Sequence, residues 1–161
     1  ETREEVFLVL YNQSLIRWSD VLLAGLVGEM TDKDYIEMFY NTAMLDDAHN
    51  PLLARLEQTI EHNISVRSFV DSKRIILDRF GRLAEATAAV LKLDIPQATD
   101  VVSTFCGLVV CASRSNQKPK FDVELIPSDV RELLNSFSSK DLYSKNAPRI
   151  LEGIRREGKV S

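Results

Sequence analysis

Histidine, cysteine and glycine are scarce in this 161-residue chain, which has two, two and six of them beside five prolines and one tryptophan. With two histidines and no Gly-x-Ser-x-Gly turn, a Ser/His/Asp or Cys/His nucleophile has little to draw on. Neither Gly-x-Gly-x-x-Gly nor the Walker pattern occurs, and Gly25 and Gly28 fall inside a helical pattern, which excludes nucleotide hydrolysis on a standard scaffold. Two cysteines cannot form a disulfide framework. Cys106 and Cys111 are five apart in an apolar run, roughly 140° apart on a helix, and so do not bridge each other. They read as small buried hydrophobes of a protein kept in a reducing compartment, cytoplasmic or nuclear. Long apolar runs are missing too: the longest candidates break at Ser19-Asp20 and Gly28-Glu29, so no membrane span is expected. The first residue is Glu rather than Met, which suits a piece of a larger intracellular protein.

What the chain does contain is helix-forming material. Hydrophobic residues make up 45% and charged residues 27%, ordinary values for one folded domain, and few glycines or prolines interrupt it. Residues 2–12 begin with acids and turn apolar, as a buried helix does. Residues 14–30 place Leu15, Trp18, Leu22, Leu26 and Val27 on one stripe, with Ser19 and Asp20 outside it and suited to restarting the helix. Thr31, with Asp34 three residues on, caps a helix whose stripe is Tyr35, Ile36, Phe39 and Ala43. Asn50-Pro51 is the clearest helix start. From Ser65 to about Leu93 the residues Phe69, Lys73, Ile76, Phe80, Leu83, Thr87 and Val90 repeat in threes and fours, with a kink expected near Asp71-Ser72 or at Gly81.

Asp94-Ile95-Pro96 restarts the chain, and residues 101–112 are apolar on nearly every side, as a helix wrapped by others would be. Beyond the polar stretch 113–120, Pro127-Ser128-Asp129 opens a helix to about Phe137, a capping box begins at Ser138, and Asn146-Ala147-Pro148 opens a last helix ending at Gly158. The fold class is therefore all-α: a bundle of seven or eight helices around a central apolar helix at about 97–113, with pairing into helical hairpins left open. Residues 1–112 form its core, 113–120 a loop and 121–161 a small helical tail on the same single domain.

Both histidines and several carboxylates crowd into residues 46–62, DDAHNPLLARLEQTIEH. His49 and His62 are 13 residues apart, however, which separates them by roughly 19 Å on a helix and far exceeds a single metal shell. Only one Asp-x-x-His spacing exists, whereas carboxylate-bridged dimetal bundles use two Glu-x-x-His pairs. The stretch is helix punctuation, and neither a metal, a cofactor nor an enzymatic site is expected.

Charge is unevenly spread. Residues 1–62 hold 4 basic against 12 acidic side chains, and residues 112–161 hold 10 against 7. Asp32, Asp34 and Glu37 beside Met38 and Tyr40 form an acidic, adaptable face suited to a basic or amphipathic partner. Arg149, Arg155, Arg156 and Lys159 cluster near Tyr143, as a nucleic-acid contact would require. The favoured function is a non-catalytic protein-interaction or assembly domain, which takes another protein or a second copy of itself through a helix-lined groove or apolar face. A nucleic-acid-associated module using the basic last helix is the alternative, and part of an enzyme completed by another subunit is the weaker third.

Overall fold

A computed structural model describes residues 2–45, 52, 63–115, 125–136 and 139–157. All regular structure among them is helical: α1 Arg3–Gly25, α2 Asp32–Ala43, α3 Val66–Leu91, α4 Ile95–Ser115, α5 Ser128–Ser136 and α6 Ser139–Glu157. Six helices thus stand among the described residues, where seven or eight were expected of the chain; the Asn50-Pro51 start, His49 and His62 lie outside the described residues.

Two of the missing elements are mergers. Residues 2–12 and 14–30 are one helix, α1, because its interruptions are small hydroxyl residues that the helix absorbs. Ser14 is fully buried, and so is Ser19 rather than lying outside the stripe; Ser19 Oγ donates to the Ile16 carbonyl at 3.0 Å. Likewise, the chain does not restart at Asn146-Ala147-Pro148, since α6 runs straight through Pro148. Pro148 removes one intrahelical N–H, but it and Ser144 face solvent, where water can serve the freed carbonyl. Asn146 Nδ2 instead donates to the Leu142 carbonyl at 2.7 Å. What holds this helix together is the stripe Tyr143, Ala147 and Leu151, four apart and fully buried.

The starts are capped, at Thr31 as the sequence indicates and at Thr2 and Ser65 beyond what it indicated. Thr2 and Glu5 form a capping box on α1, Thr31 Oγ1 accepts from the Asp34 N–H, and Ser65 Oγ accepts from the Ser68 N–H. Asp94 and Gln97 bond reciprocally, side chain to backbone, at 2.8 and 3.2 Å at the start of α4. Gly28 takes φ 68° in the α1–α2 connection, a conformation that glycine alone adopts without strain. Lys92 closes α3 in the same left-handed region, φ 54° and ψ 50°.

α1 and α3 run parallel, joined by Ser68 Oγ donating to Glu5 at 3.1 Å, Ser72 Oγ donating to Asn12 at 2.8 Å, and Arg79 bonded to Asp20. α4 returns along α3 after a short turn, and α6 runs antiparallel to α4, with Gln97 Nε2 donating to the Ile154 carbonyl at 3.2 Å. α2 folds back on α1 and packs on α6. α4 packs against α3, α6 and α2. It is the central helix, extended by two residues at each end relative to 97–113.

α4 is not wrapped all round. Ala98, Val101, Val102, Phe105, Val109 and Ala112 face inward, whereas Ser103, Thr104, Gly107 and Cys111 face solvent. The exposure of Cys111 corrects the expectation of two buried thiols. The membrane expectation also changes, because Ile95–Ser113 is long and apolar enough to cross a bilayer by length and composition, with mean hydropathy 1.4. Its inward face is nonetheless packed among α2, α3 and α6, as in the core helix of a bundle.

Candidate functional site

The most chemically distinctive region is a box of aromatic and hydroxyl side chains where α2, α3, α4 and α6 meet. The stripe of α2 delivers Tyr35 and Phe39, α4 delivers Phe105, and α6 delivers Tyr143, all of them fully buried. Phe105 stands edge-on to Phe39 and Tyr143, with ring centroids 5.5 and 5.8 Å away, and 6.0 Å from Tyr35. Tyr40, half-buried, lies 5.0 Å from Tyr143, and Trp18 extends the cluster to α1 by an edge contact with Phe39 at 5.6 Å. Edge and tilted arrangements of this kind set the electropositive rim of one ring against the face of the next.

The two fully buried tyrosine hydroxyls of the box differ. Tyr35 Oη and Thr87 Oγ1 are 2.9 Å apart and share one hydrogen bond. Tyr143 Oη is buried and has no hydrogen-bond partner among the described residues. Burial pushes both phenols well above the ordinary tyrosine range; for Tyr35 the Thr87 bond offsets part of the rise, and for Tyr143 the neighbouring Tyr35 and Cys106 add to it. Burial alone pushes the Cys106 thiol up to about 12. Among the described residues no Asp, Glu, Lys or Arg is buried, so the interior is polar only through neutral groups. No group of three or more metal-ligating side chains occurs among them either.

The residues singled out by sequence fall elsewhere, with one exception. Tyr40 forms the outer wall of the box, and Met38 is half-buried, its sulfur packed over Gly25. Asp34 accepts from Thr31 Oγ1 at 2.6 Å, and Glu37 faces solvent 4.0 Å from Lys33. Asp32 and Arg155, assigned to different surfaces, are partners: Arg155 donates to Asp32 at 2.6 Å and to the Leu91 carbonyl at 3.1 Å. Arg156 pairs with Glu152, Arg149 is exposed, and Lys159 lies outside the described residues. Tyr35, Thr87, Phe105 and Tyr143 were missed as a group. The signal for them was a polar residue at a position where the helical stripe asks for an apolar one, most plainly Thr87 between Leu83 and Val90.

Comparison with known proteins places this bundle. Residues 12–126 match the family described as tetracyclin repressor-like, C-terminal domain, over well more than half of the chain. The chain belongs to that family. Repressor-like C-terminal domains are typically the ligand-binding and dimerisation part of a regulator and are non-catalytic. No curated protein matches the chain. Tyr35, Thr87 and Phe105 lie within the matched stretch, whereas α6, with Tyr143, lies beyond it.

Proposed function

We propose that this repressor-like C-terminal domain is the effector-binding and self-associating part of a transcriptional regulator, with the effector held in the bundle interior between α2, α4 and α6. The supporting observation is the combination of a non-catalytic helical family with an interior of neutral hydroxyls, one of which lacks a partner among the described residues. Buried polar groups are almost always bonded, and a ligand is one source of the acceptor that such a hydroxyl takes. Thermal-shift screening with a panel of neutral, charged and aliphatic small molecules tests the reading, and a domain stabilised by none of them overturns it.

Self-association would use the apolar faces that the bundle leaves uncovered. On α1, Leu8 and Tyr11 are buried while Val6, Val9 and Leu10 face solvent, so the amino-terminal apolar stretch serves both the core and an outer surface. Sedimentation equilibrium tests this; a monomer across the micromolar range argues against it. The acidic face of Asp34 and Glu37 beside Met38 and Tyr40 is the surface proposed for a protein partner. Nucleic-acid contact through the last helix has less support, since Arg155 and Arg156 are already engaged with Asp32 and Glu152. A steep salt dependence of DNA or RNA binding, lost in Arg149→Glu, would restore it.

A further inference from the structure

We propose that the outward face of α3 pairs antiparallel with the same face of a second copy of this chain, a contact separate from the α1 surface described above. Among the described residues α3 packs chiefly on α1 and α4, and a third side faces solvent. There Val66, Val70 and Leu77 recur at spacings of four and seven as one aliphatic stripe, with Val66 80% and Leu77 75% exposed. Along one flank of the stripe run Arg67, Asp71, Arg74 and Asp78, all exposed, at spacings of four, three and four. Their order selects the occupant. Arg67 and Asp78 are equidistant from the midpoint between Ser72 and Lys73, and so are Asp71 and Arg74, each pair opposite in sign. A two-fold axis through that midpoint lays the same flank of a second α3 alongside in reverse, which sets Arg67 against Asp78 of the second copy and Asp71 against its Arg74. A parallel pairing in register would set like charges together, which is repulsive. The antiparallel alignment also brings Val70 within two residues of Leu77 of the second copy, about 3 Å along the axis, so the stripe closes on itself at two symmetric points. Within one copy the same charges are loosely held: Arg67 lies 3.9 Å from Asp71, Arg74 3.7 Å from Asp71, and Arg79 3.9 Å from Asp78. Pairs on exposed carboxylates contribute little, so these groups are available to a second copy.

A single helix pair is a small interface, so the test is sedimentation velocity of the 161-residue chain at up to about 1 mM. Two charge variants accompany the wild type: Arg67→Glu/Arg74→Glu, whose flank is wholly acidic, and Asp71→Lys/Asp78→Lys, whose flank is wholly basic. Each variant alone is expected to lose one doubling of mass, its association weakened at least about tenfold, and an equimolar mixture of the two to regain it within about threefold of wild type. Val6→Glu/Leu10→Glu, on the α1 surface, should leave this doubling in place. Orientation is read by mild oxidation of a Val70→Cys/Leu77→Cys/Cys111→Ser chain, in which position 70 of one copy should link to position 77 of the other. Those positions lie about 10 Å apart on one helix and cannot bridge within a copy. A wild type of the same mass as the two charge variants overturns the proposal, as does a mixture that associates no better than its components. Links from 70 to 70 and 77 to 77 overturn the antiparallel arrangement. A doubling abolished by the α1 substitutions but not by the charge variants assigns self-association to α1 and overturns the α3 contact alone.

Discussion

Replacing Tyr143 by Phe removes one oxygen from the core and should make the domain more stable. The hydroxyl is buried and unbonded among the described residues, so folding strips it of water without a bond in return. Such a group costs about 1–3 kcal/mol, while the small void left by its removal costs a fraction of that, for a net gain of about 1 kcal/mol. In a domain of this size that raises the melting temperature by about 2–4 °C. Tyr35→Phe removes an oxygen of the same kind with the opposite result. Its loss strands the Thr87 hydroxyl, fully buried and otherwise bonded at 2.9 Å, and should destabilise by about 1–3 kcal/mol. Adding Thr87→Val should restore near-wild-type stability, because both partners are then replaced by apolar groups of similar shape. Urea unfolding followed by circular dichroism measures all three, with a shift in midpoint at constant slope as the criterion. A loss of 1 kcal/mol or more in Tyr143→Phe would show that the hydroxyl is bonded in solution and refute this reasoning.

Other consequences are as direct. Arg155→Ala unties Asp32 and the Leu91 carbonyl together and should cost about 1–2 kcal/mol in the same urea assay, whereas Arg156→Ala, on an exposed intrahelical pair, should cost little. The bond from Lys92, and then its charge, hold the Glu29 carboxyl below its ordinary 4.5. Because the folded value is the lower one, the stability this pair contributes is present above about pH 4.5 and disappears as pH falls through the folded value. Glu29 in Lys92→Met should titrate at its ordinary value in a carbon-detected NMR experiment. A thiol reagent at pH 8 should label Cys111 of the folded domain promptly and Cys106 only on unfolding, since Cys111 is exposed and burial holds the Cys106 thiol in its protonated form. Equal labelling rates would contradict the packing of α4.

Much of the bundle was legible one helix at a time. The stripe Tyr35, Ile36, Phe39 and Ala43 is buried throughout, and the caps at Thr31, Ser65 and Asp94 do what their side chains allow. Local rules failed where tertiary packing outweighed a local stop signal. Ser19 and Pro148 look like breaks, yet each lies in a helix whose buried stripe continues on both sides of it. Val27 fits the stripe of α1 by spacing but projects into solvent, because the helix ends at Gly25. The candidate site was the least legible part. It depends on which helices become neighbours, and nothing local to Thr87 or Tyr143 says that one hydroxyl meets Tyr35 while the other meets nothing. The joining of Asp32 to Arg155 spans 123 positions and was equally beyond a one-helix reading.

The Arg155 tie has a mechanical side. It pins the beginning of α2 and the end of α3 to the end of α6, so those helices are fastened at one end of the bundle. Tyr40 lies eight residues along α2 from the pin, a lever arm of about 12 Å at the usual helical rise. A small tilt of α2 about that end would therefore displace Tyr40 far more than Asp32.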